Sequence, residues 1–198
     1  MENLIKVFKN KGFYPFAFLF SLLTASDIFQ SCEQSNIFSD KDDVEFGEQF
    51  DKEIKANPKE FPMLQGHQDV KDYITGMGKD ILTSPKIKKS KIYPYNFQVI
   101  NDTIVNAFCT PGGFVYVYTG LMKFLDNESG LAGVVGHEIA HAERRHVTQR
   151  LTAYYGVSAL LSFILGGNPS ILAEVAANLF VGLAFLKNSR DDEAEADY

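Results

Sequence analysis

The chain has 198 residues, of which 45% are hydrophobic and 22% are charged. This composition is sufficient for the core of one ordinary domain, and it excludes a wholly disordered chain. The formal net charge of −6, without a basic cluster, argues against a nucleic-acid partner, which needs Lys and Arg to replace phosphate counterions. Two cysteines are too few for a disulfide scaffold.

The amino-terminal segment, residues 1–31, has the composition of an export signal. Three lysines among the first eleven residues precede a mostly apolar run at 13–25, which is typical of a secretory signal and short for a membrane span. Cys32 follows a small residue, and this pattern resembles a lipoprotein signal, in which the cysteine becomes the lipidated first residue. We therefore expect a periplasmic protein that a lipid on Cys32 anchors to a bacterial membrane, with residues 32–43 as a tether. An uncleaved anchor and a plain signal cut near Ala25 are the alternatives.

Two amphipathic helices are predicted next. Phe46, Phe50 and Ile54 recur every four residues among charged residues, and this spacing predicts a helix that ends before Pro58. A second helix has an apolar face with helical spacing, formed by Val70, Tyr73, Ile74, Met77 and Ile81. Residues 84–91 contain four lysines and are predicted to form a solvated loop.

Three strands are expected to form a small antiparallel sheet. Apolar and polar residues alternate at 95–100, and residues 104–109 are a second strand candidate. The turn Pro111-Gly112-Gly113 leads into a continuous apolar run at 114–118, which predicts a central or covered strand. Cys109, in the second candidate, is expected to be a buried and inert thiol.

A long helix is predicted for residues 128–155, with Asp126 or Asn127 as its amino-terminal cap. It contains the run His137-Glu138-Ile139-Ala140-His141, an H-E-x-x-H motif. Residues four apart share one helix face, so the two imidazoles can bind one Zn²⁺, and Glu138 beside them can take a proton from the water that zinc activates. A helix with two surface histidines is the alternative.

Two apolar stretches follow, at residues 157–165 and 171–186. The first is too short to span a bilayer, and the second contains Glu174, which is costly in lipid. A buried helical hairpin is therefore favoured over a membrane hairpin.

A catalytic zinc needs a third protein ligand and an open position. The metzincin pattern fails, because Arg144 and Val147 stand where that pattern requires Gly and His. His146 lies five residues after His141 and therefore off the shared face, so we expect it at the surface or behind a ligand.

The better candidate for the third ligand lies near the end of the chain. Glu193 and Asp197 share one helical face, so Glu193 can ligate zinc and Asp197 can accept a hydrogen bond from a ligand histidine. The alternative is the charged, solvated start of a helix.

These motifs resemble a known family. H-E-x-x-H, followed after some fifty residues by a segment of the form S-R-x-x-E-x-E-A-D (residues 189–197), resembles the gluzincin peptidases grouped with HtpX, the CAAX prenyl proteases and the BepA-type periplasmic proteases. Residues 106–113 are similar to the N-A-F-x-x-P-G-G segment of that family. The resemblance covers about residues 44–198. It implies a mainly helical, zincin-like α+β fold, one Zn²⁺ bound by His137, His141 and Glu193, and Glu138 as the catalytic residue. Asp197 matches the acidic residue that follows the third ligand.

The expected function is that of a zinc metalloendopeptidase acting on unfolded or misassembled polypeptides in the cell envelope. A substrate is expected to lie extended along an edge strand at Asn106, Ala107 and Phe108. The family continues beyond the Glu193 motif, so we expect a catalytic domain that is incomplete after Tyr198, with the oxyanion-stabilising group further on. The alternatives are a zinc-containing chaperone or binding module without turnover, and a membrane-embedded prenyl-protein protease.

Overall fold

The structure is a computed structural model, and it describes residues 37–164. Its helices are α1 (Asp40–Ala56), α2 (Gln68–Leu82), α3 (Thr119–Phe124), α4 (Glu128–Glu143), α5 (His146–Tyr155) and α6 (Val157–Ile164). Its strands are β1 (Asn96–Ile100), β2 (Ala107–Thr110) and β3 (Phe114–Tyr118), and 3-10 turns occur at Lys89–Lys91 and Pro111–Gly113. The predicted fold class, α+β and mainly helical, is confirmed. Among residues 37–164, no helix is both long and apolar enough to span a bilayer.

Helix α1 begins inside the segment that was predicted to be a tether. The Ser39 hydroxyl accepts a hydrogen bond from the Asp42 amide at 3.2 Å, and the Asp42 carboxylate accepts one from the Ser39 amide at 2.6 Å. This reciprocal capping box fixes the start of the helix. The predicted apolar face of α1 is confirmed, since Phe46, Phe50 and Ile54 are all buried.

Helix α2 packs on the sheet through the predicted face, with one exception. Ile74 and Met77 are buried, whereas Tyr73 is 43% exposed and lies off that face. Gly78 allows the close approach of α2 to β1, because a β-carbon at this position would lie 2.2 Å from the Phe97 ring.

The sheet is mixed, so the prediction of a purely antiparallel sheet is wrong. The strand order is β1-β3-β2, in which β3 pairs antiparallel with β2 and parallel with β1. Strand β3 separates the two earlier strands because all five of its residues are apolar or aromatic and buried, a pattern typical of a central strand. The second strand is also shorter than predicted, since Ile104 and Val105 are exposed and precede it.

The two faces of the sheet bury different clusters. Val115 and Val117 of β3 face the larger cluster, together with Ala107 and Cys109 of β2 and residues of α4. The opposite face carries a second cluster, which is largely aromatic and consists of Ile54, Phe61, Ile100, Phe108, Phe114, Tyr116 and Tyr118. Helix α4 therefore lies on the face of β2 from which Ala107 and Cys109 project.

The single long helix predicted for residues 128–155 is wrong, because the structure divides it into α4 and α5. Asn127 caps α4 as predicted, since its side chain accepts a hydrogen bond from the Gly130 amide at 2.8 Å. Arg145, between the two helices, has a φ of 64° and a ψ of 25°, in the left-handed region that residues other than glycine rarely adopt. That conformation costs about 1 kcal/mol. The sequence of the helix itself contains no glycine or proline at this point that would predict the break.

Contacts from α1 stabilise the turn at Arg145. Its guanidinium donates hydrogen bonds to the Asp43 carboxylate at 2.6 Å and to the main-chain oxygens of Phe38 at 2.6 Å and Ser39 at 2.9 Å. Asp43 is only 1% exposed, and its carboxylate also accepts hydrogen bonds from Tyr93 at 2.6 Å and Thr148 at 2.7 Å. Charged groups buried in this way are stable only when they are paired and hydrogen-bonded, as they are here.

Candidate metal centre and active site

Two histidines of the H-E-x-x-H motif converge on α4. The Nε2 atoms of His137 and His141 lie 3.0 Å apart, and the two rings meet edge to face with their centroids separated by 4.6 Å. The convergence follows from their spacing of four residues, which places both side chains on one face of the helix.

The geometry fits a metal ion bound by both rings. Two imidazole nitrogens that share a tetrahedral zinc ion are about 3.4 Å apart, because each Zn–N bond is about 2.0–2.1 Å long. The observed separation of 3.0 Å is close to this value. Within residues 37–164, no group of three or more His, Cys, Asp or Glu side chains forms a complete metal site. The predicted third ligand, Glu193, and the supporting Asp197 lie outside the described residues.

The side chain of Glu138, on α4, lies close to β2. It is half-buried and lies beside the thiol of Cys109. Burial raises the pKa of this thiol well above its ordinary value, and the neighbouring Glu138 carboxylate raises it further. Cys109 is therefore buried, as predicted, and its raised pKa keeps the thiol protonated at neutral pH.

Strand β2 is an edge strand whose outer side has no partner strand within the described residues. The Asn106 carbonyl accepts a hydrogen bond from the Tyr118 amide at 3.1 Å, which identifies Asn106 and Tyr118 as a hydrogen-bonded pair. Such pairs alternate along an antiparallel ladder, so Phe108 is also hydrogen-bonded to β3. The backbone N–H and C=O groups of Ala107 and Cys109 consequently point away from β3, towards the open edge.

This pairing refines the predicted substrate strand. Asn106 precedes β2 and uses its carbonyl for Tyr118, and the main chain of Phe108 faces β3. Of the three residues predicted to contact substrate, Ala107 presents its main chain to the open edge. Cys109, which the sequence reasoning did not include, presents its main chain in the same way.

His146 is buried, so a position at the surface is excluded. The side chain is 2% exposed, and its Nδ1 lies 2.8 Å from Nδ1 of His141. A continuous helix would have carried residue 146 away from the face shared by His137 and His141. The left-handed turn at Arg145 returns His146 to His141, and no local sequence signal predicts that turn.

The structure thus brings His137 and His141 together and places Glu138 beside Cys109 on β2. It also places His146 behind His141, one of the two positions expected for it, and it adds the Asp43–Arg145 pair, which the sequence reasoning did not connect with the site. The predicted lipidation site, Cys32, lies outside the described residues, as do the apolar residues after Ile164.

Comparison with known proteins identifies the family. A family model described as Peptidase family M48 matches residues 69–198. The mitochondrial metalloendopeptidase OMA1 of Arabidopsis thaliana is 38% identical over 104 residues, which cover 50% of this chain and 20% of that protein. The OMA1 protein of Schizosaccharomyces pombe is 30% identical over 136 residues, covering 69% of this chain and 39% of that protein.

A bacterial relative shows similar identity. The beta-barrel assembly-enhancing protease of Escherichia coli K12 is 35% identical over 99 residues, which cover 47% of this chain and 20% of that protein. The chain therefore spans between 20% and 39% of the length of these three relatives. Because the family model includes the H-E-x-x-H helix and more than half of the chain, the chain belongs to peptidase family M48, a family of metalloproteases.

Proposed function

We propose that this protein is a zinc-dependent metalloendopeptidase that hydrolyses peptide bonds within extended polypeptide segments. The observation that carries this proposal is the convergence of the His137 and His141 Nε2 atoms next to Glu138, which itself lies against an edge strand. Membership of peptidase family M48 supports the proposal, as do the names of the three relatives, each a metalloendopeptidase or a protease.

One zinc ion per chain is proposed, with His137, His141 and Glu193 as its ligands and Asp197 as a hydrogen-bond acceptor for a ligand histidine. Two neutral imidazoles and one carboxylate are a ligand set typical of catalytic zinc, and they leave one coordination position open. When bound, zinc supplies Lewis acidity that polarises the scissile carbonyl and lowers the pKa of a water molecule.

Glu138 is the proposed general base and general acid. It follows His137 directly on α4, and its half-buried side chain lies beside Cys109 of β2. From this position the carboxylate takes a proton from the attacking water and returns it to the leaving amine. The apolar contacts of α4 with the sheet hold the helix, and therefore the carboxylate, in a fixed place.

The substrate proposed here is an unfolded or flexible polypeptide. The outward backbone groups of Ala107 and Cys109 provide donors and acceptors at the open edge of β2, to which an extended peptide can add as a further strand. A folded substrate does not expose an extended segment of this kind. The side chains of Ala107 and Cys109 project towards α4, so a peptide bound at this edge would lie next to Glu138.

Quality control of misassembled proteins in the cell envelope is the proposed physiological setting. We propose export to the periplasm and anchoring to a bacterial membrane through a lipid on Cys32, which rest on the composition of residues 1–31. The name of the E. coli relative, a beta-barrel assembly-enhancing protease, supports a setting in which membrane proteins are assembled.

Zinc content and cleavage of unfolded casein, measured on the full 198-residue chain, test the proposal. We expect about one zinc per chain, together with cleavage, and we expect both to be lost in Glu193→Ala. The matched control is Glu195→Ala, two residues away and off the face shared by Glu193 and Asp197, which should retain zinc and activity. Retention of zinc and cleavage by Glu193→Ala would exclude the ligand assignment. Zinc without cleavage in the unsubstituted chain would favour a binding module without turnover, and circular dichroism verifies that each variant is folded.

A further inference from the structure

We infer that His146 is a positioning residue for the metal ligand His141. The Nδ1 atom of His146 accepts a hydrogen bond from Nδ1–H of His141, so that Nε2 of His141 is the unprotonated nitrogen that binds the metal. The inference rests on the proposed function, because it concerns how this chain prepares a ligand for zinc.

The two distances, together with metal binding by Nε2 of His141, assign the proton to one nitrogen of each ring. A neutral imidazole has one protonated and one unprotonated nitrogen, so the Nδ1–Nδ1 contact of 2.8 Å requires one donor and one acceptor. The Nε2 of His141 faces Nε2 of His137 at 3.0 Å and must be unprotonated to bind a metal. The single proton of His141 then resides on Nδ1, and His146 receives it with an unprotonated Nδ1. The proton of His146 resides on its own Nε2.

Burial favours the contact between the two imidazole rings over contacts of either ring with water. His141 is 6% exposed and His146 is 2% exposed, so water does not readily replace either ring as the partner of the other. A buried N–H without an acceptor is unfavourable, which disfavours any state in which the two rings separate. Metal-bound histidines usually donate their second N–H to a carboxylate or a carbonyl, and here a second histidine has that role.

Contacts between α1 and the residues on either side of His146 hold this histidine in place. The turn at Arg145 directs the next residue back towards His141, and Asp43 of α1 stabilises that turn through the Arg145 guanidinium. Thr148, two residues after His146 on α5, donates to the same Asp43 carboxylate at 2.7 Å. The chain is therefore attached to α1 on both sides of His146, which fixes the position of its imidazole.

Two variants of nearly equal shape test the inference on the full chain. His146→Asn keeps an oxygen acceptor at the position of Nδ1, whereas His146→Leu puts a methyl group there. Zinc affinity is measured by competition with a chelator. We expect His146→Leu to bind zinc about 10- to 100-fold more weakly than the unsubstituted chain, and His146→Asn to recover most of that loss. Equal zinc affinity of the unsubstituted chain and a folded His146→Leu would overturn the inference.

A second measurement avoids substitution altogether. Long-range ¹H–¹⁵N correlation spectra of the zinc-loaded, unsubstituted chain report which ring nitrogen of each histidine is protonated. We expect His141 to be protonated at Nδ1 and His146 at Nε2, and a proton on Nδ1 of His146 would overturn the inference even if the Leu variant does not fold. If the unsubstituted chain binds no zinc, the proposed function and this inference both fail. Normal zinc binding with the opposite protonation refutes the role of His146 alone.

Discussion

Glu138 and Glu143 lie on the same helix but have different surroundings. The Glu143 carboxylate accepts hydrogen bonds from the backbone amides of Lys88 at 2.6 Å and Lys89 at 3.1 Å, so it fixes the turn between α2 and β1. Glu138 instead lies beside Cys109 and follows a proposed metal ligand. One glutamate thus stabilises the fold, and the other is the proposed general base.

Glu138→Gln is expected to lower the rate of peptide cleavage by about 10²- to 10⁴-fold, because an amide cannot accept a proton from water. Zinc content should be unchanged, since the side chain of Glu138 is not a proposed ligand. The turnover number on an unfolded protein substrate and the metal content of the same sample are the measurements. Glu143→Gln is the matched control and should keep most of the activity while losing some thermal stability. Cleavage by Glu138→Gln at the rate of the unsubstituted chain would exclude its role.

At the scale of the secondary-structure elements, β2 offers a direct test of substrate pairing. The N–H of Ala107 points to the open edge, whereas the N–H of Phe108 is paired with β3. Proline removes the N–H, and an edge strand tolerates it where that group faces outwards. The same substitution in two adjacent residues therefore separates binding from folding.

Ala107→Pro is expected to fold and to cleave an extended peptide about fivefold less efficiently, which corresponds to the loss of one hydrogen bond worth about 1 kcal/mol. Phe108→Pro is expected to lower the free energy of unfolding, because it removes a ladder hydrogen bond and a ring from the aromatic cluster. The value of kcat/KM on a long peptide and the midpoint of urea unfolding are measured for both. Unchanged kcat/KM for a folded Ala107→Pro would contradict the proposed pairing.

Local patterns in the sequence predict the individual elements much better than their arrangement. The spacing of Phe46, Phe50 and Ile54 and the cap at Asn127 are encoded within a few neighbouring residues, and the structure confirms both. The parallel pairing of β1 with β3 depends on which strand occupies the centre, and alternation within one strand does not specify this. The break at Arg145 depends on Asp43, which is 102 residues away in the sequence, so no local pattern contains it.

Local patterns likewise predict only part of the candidate site. His137, Glu138 and His141 are found from their spacing alone, because one helix positions all three. His146 reaches its position behind His141 only through the turn at Arg145, so its spacing alone left the surface open as an alternative, which the structure excludes. The contribution of Cys109 to the open edge depends on the register of β2 with β3.

At the scale of the whole molecule, buried tyrosines make the stability of the fold depend on pH in the alkaline range. The pKa of four tyrosines is raised above its ordinary value, mainly by burial and to a smaller extent by a neighbouring carboxylate. These are Tyr93, Tyr95, Tyr116 and Tyr118. Asp43 is that carboxylate for Tyr93, and Asp51 has the same effect on Tyr116. The folded protein thus keeps these hydroxyls protonated at a pH at which the unfolded chain has begun to ionise.

Stability is therefore expected to fall as the pH rises above about 10, the ordinary pKa of tyrosine. In that range the folded state binds more protons than the unfolded state, so the free energy of unfolding decreases with increasing pH. The midpoint of urea unfolding should be lower at pH 10.5 than at pH 8, and tyrosinate absorbance should rise together with unfolding. Complete ionisation of all nine tyrosines in a protein that is still folded would contradict this expectation.

The pairing of Asp43 with Arg145 also determines the order in which the domain can assemble. Contacts between residues so far apart in sequence require a large loop to close, and domains rich in such contacts fold slowly. Helix α1 is made early during synthesis, yet its carboxylate finds its partners only after the chain has been extended past Thr148. An amino-terminal boundary drawn at residue 69, where the family match begins, would remove that carboxylate altogether. The smallest unit able to fold as described here therefore begins no later than the capping residue Ser39.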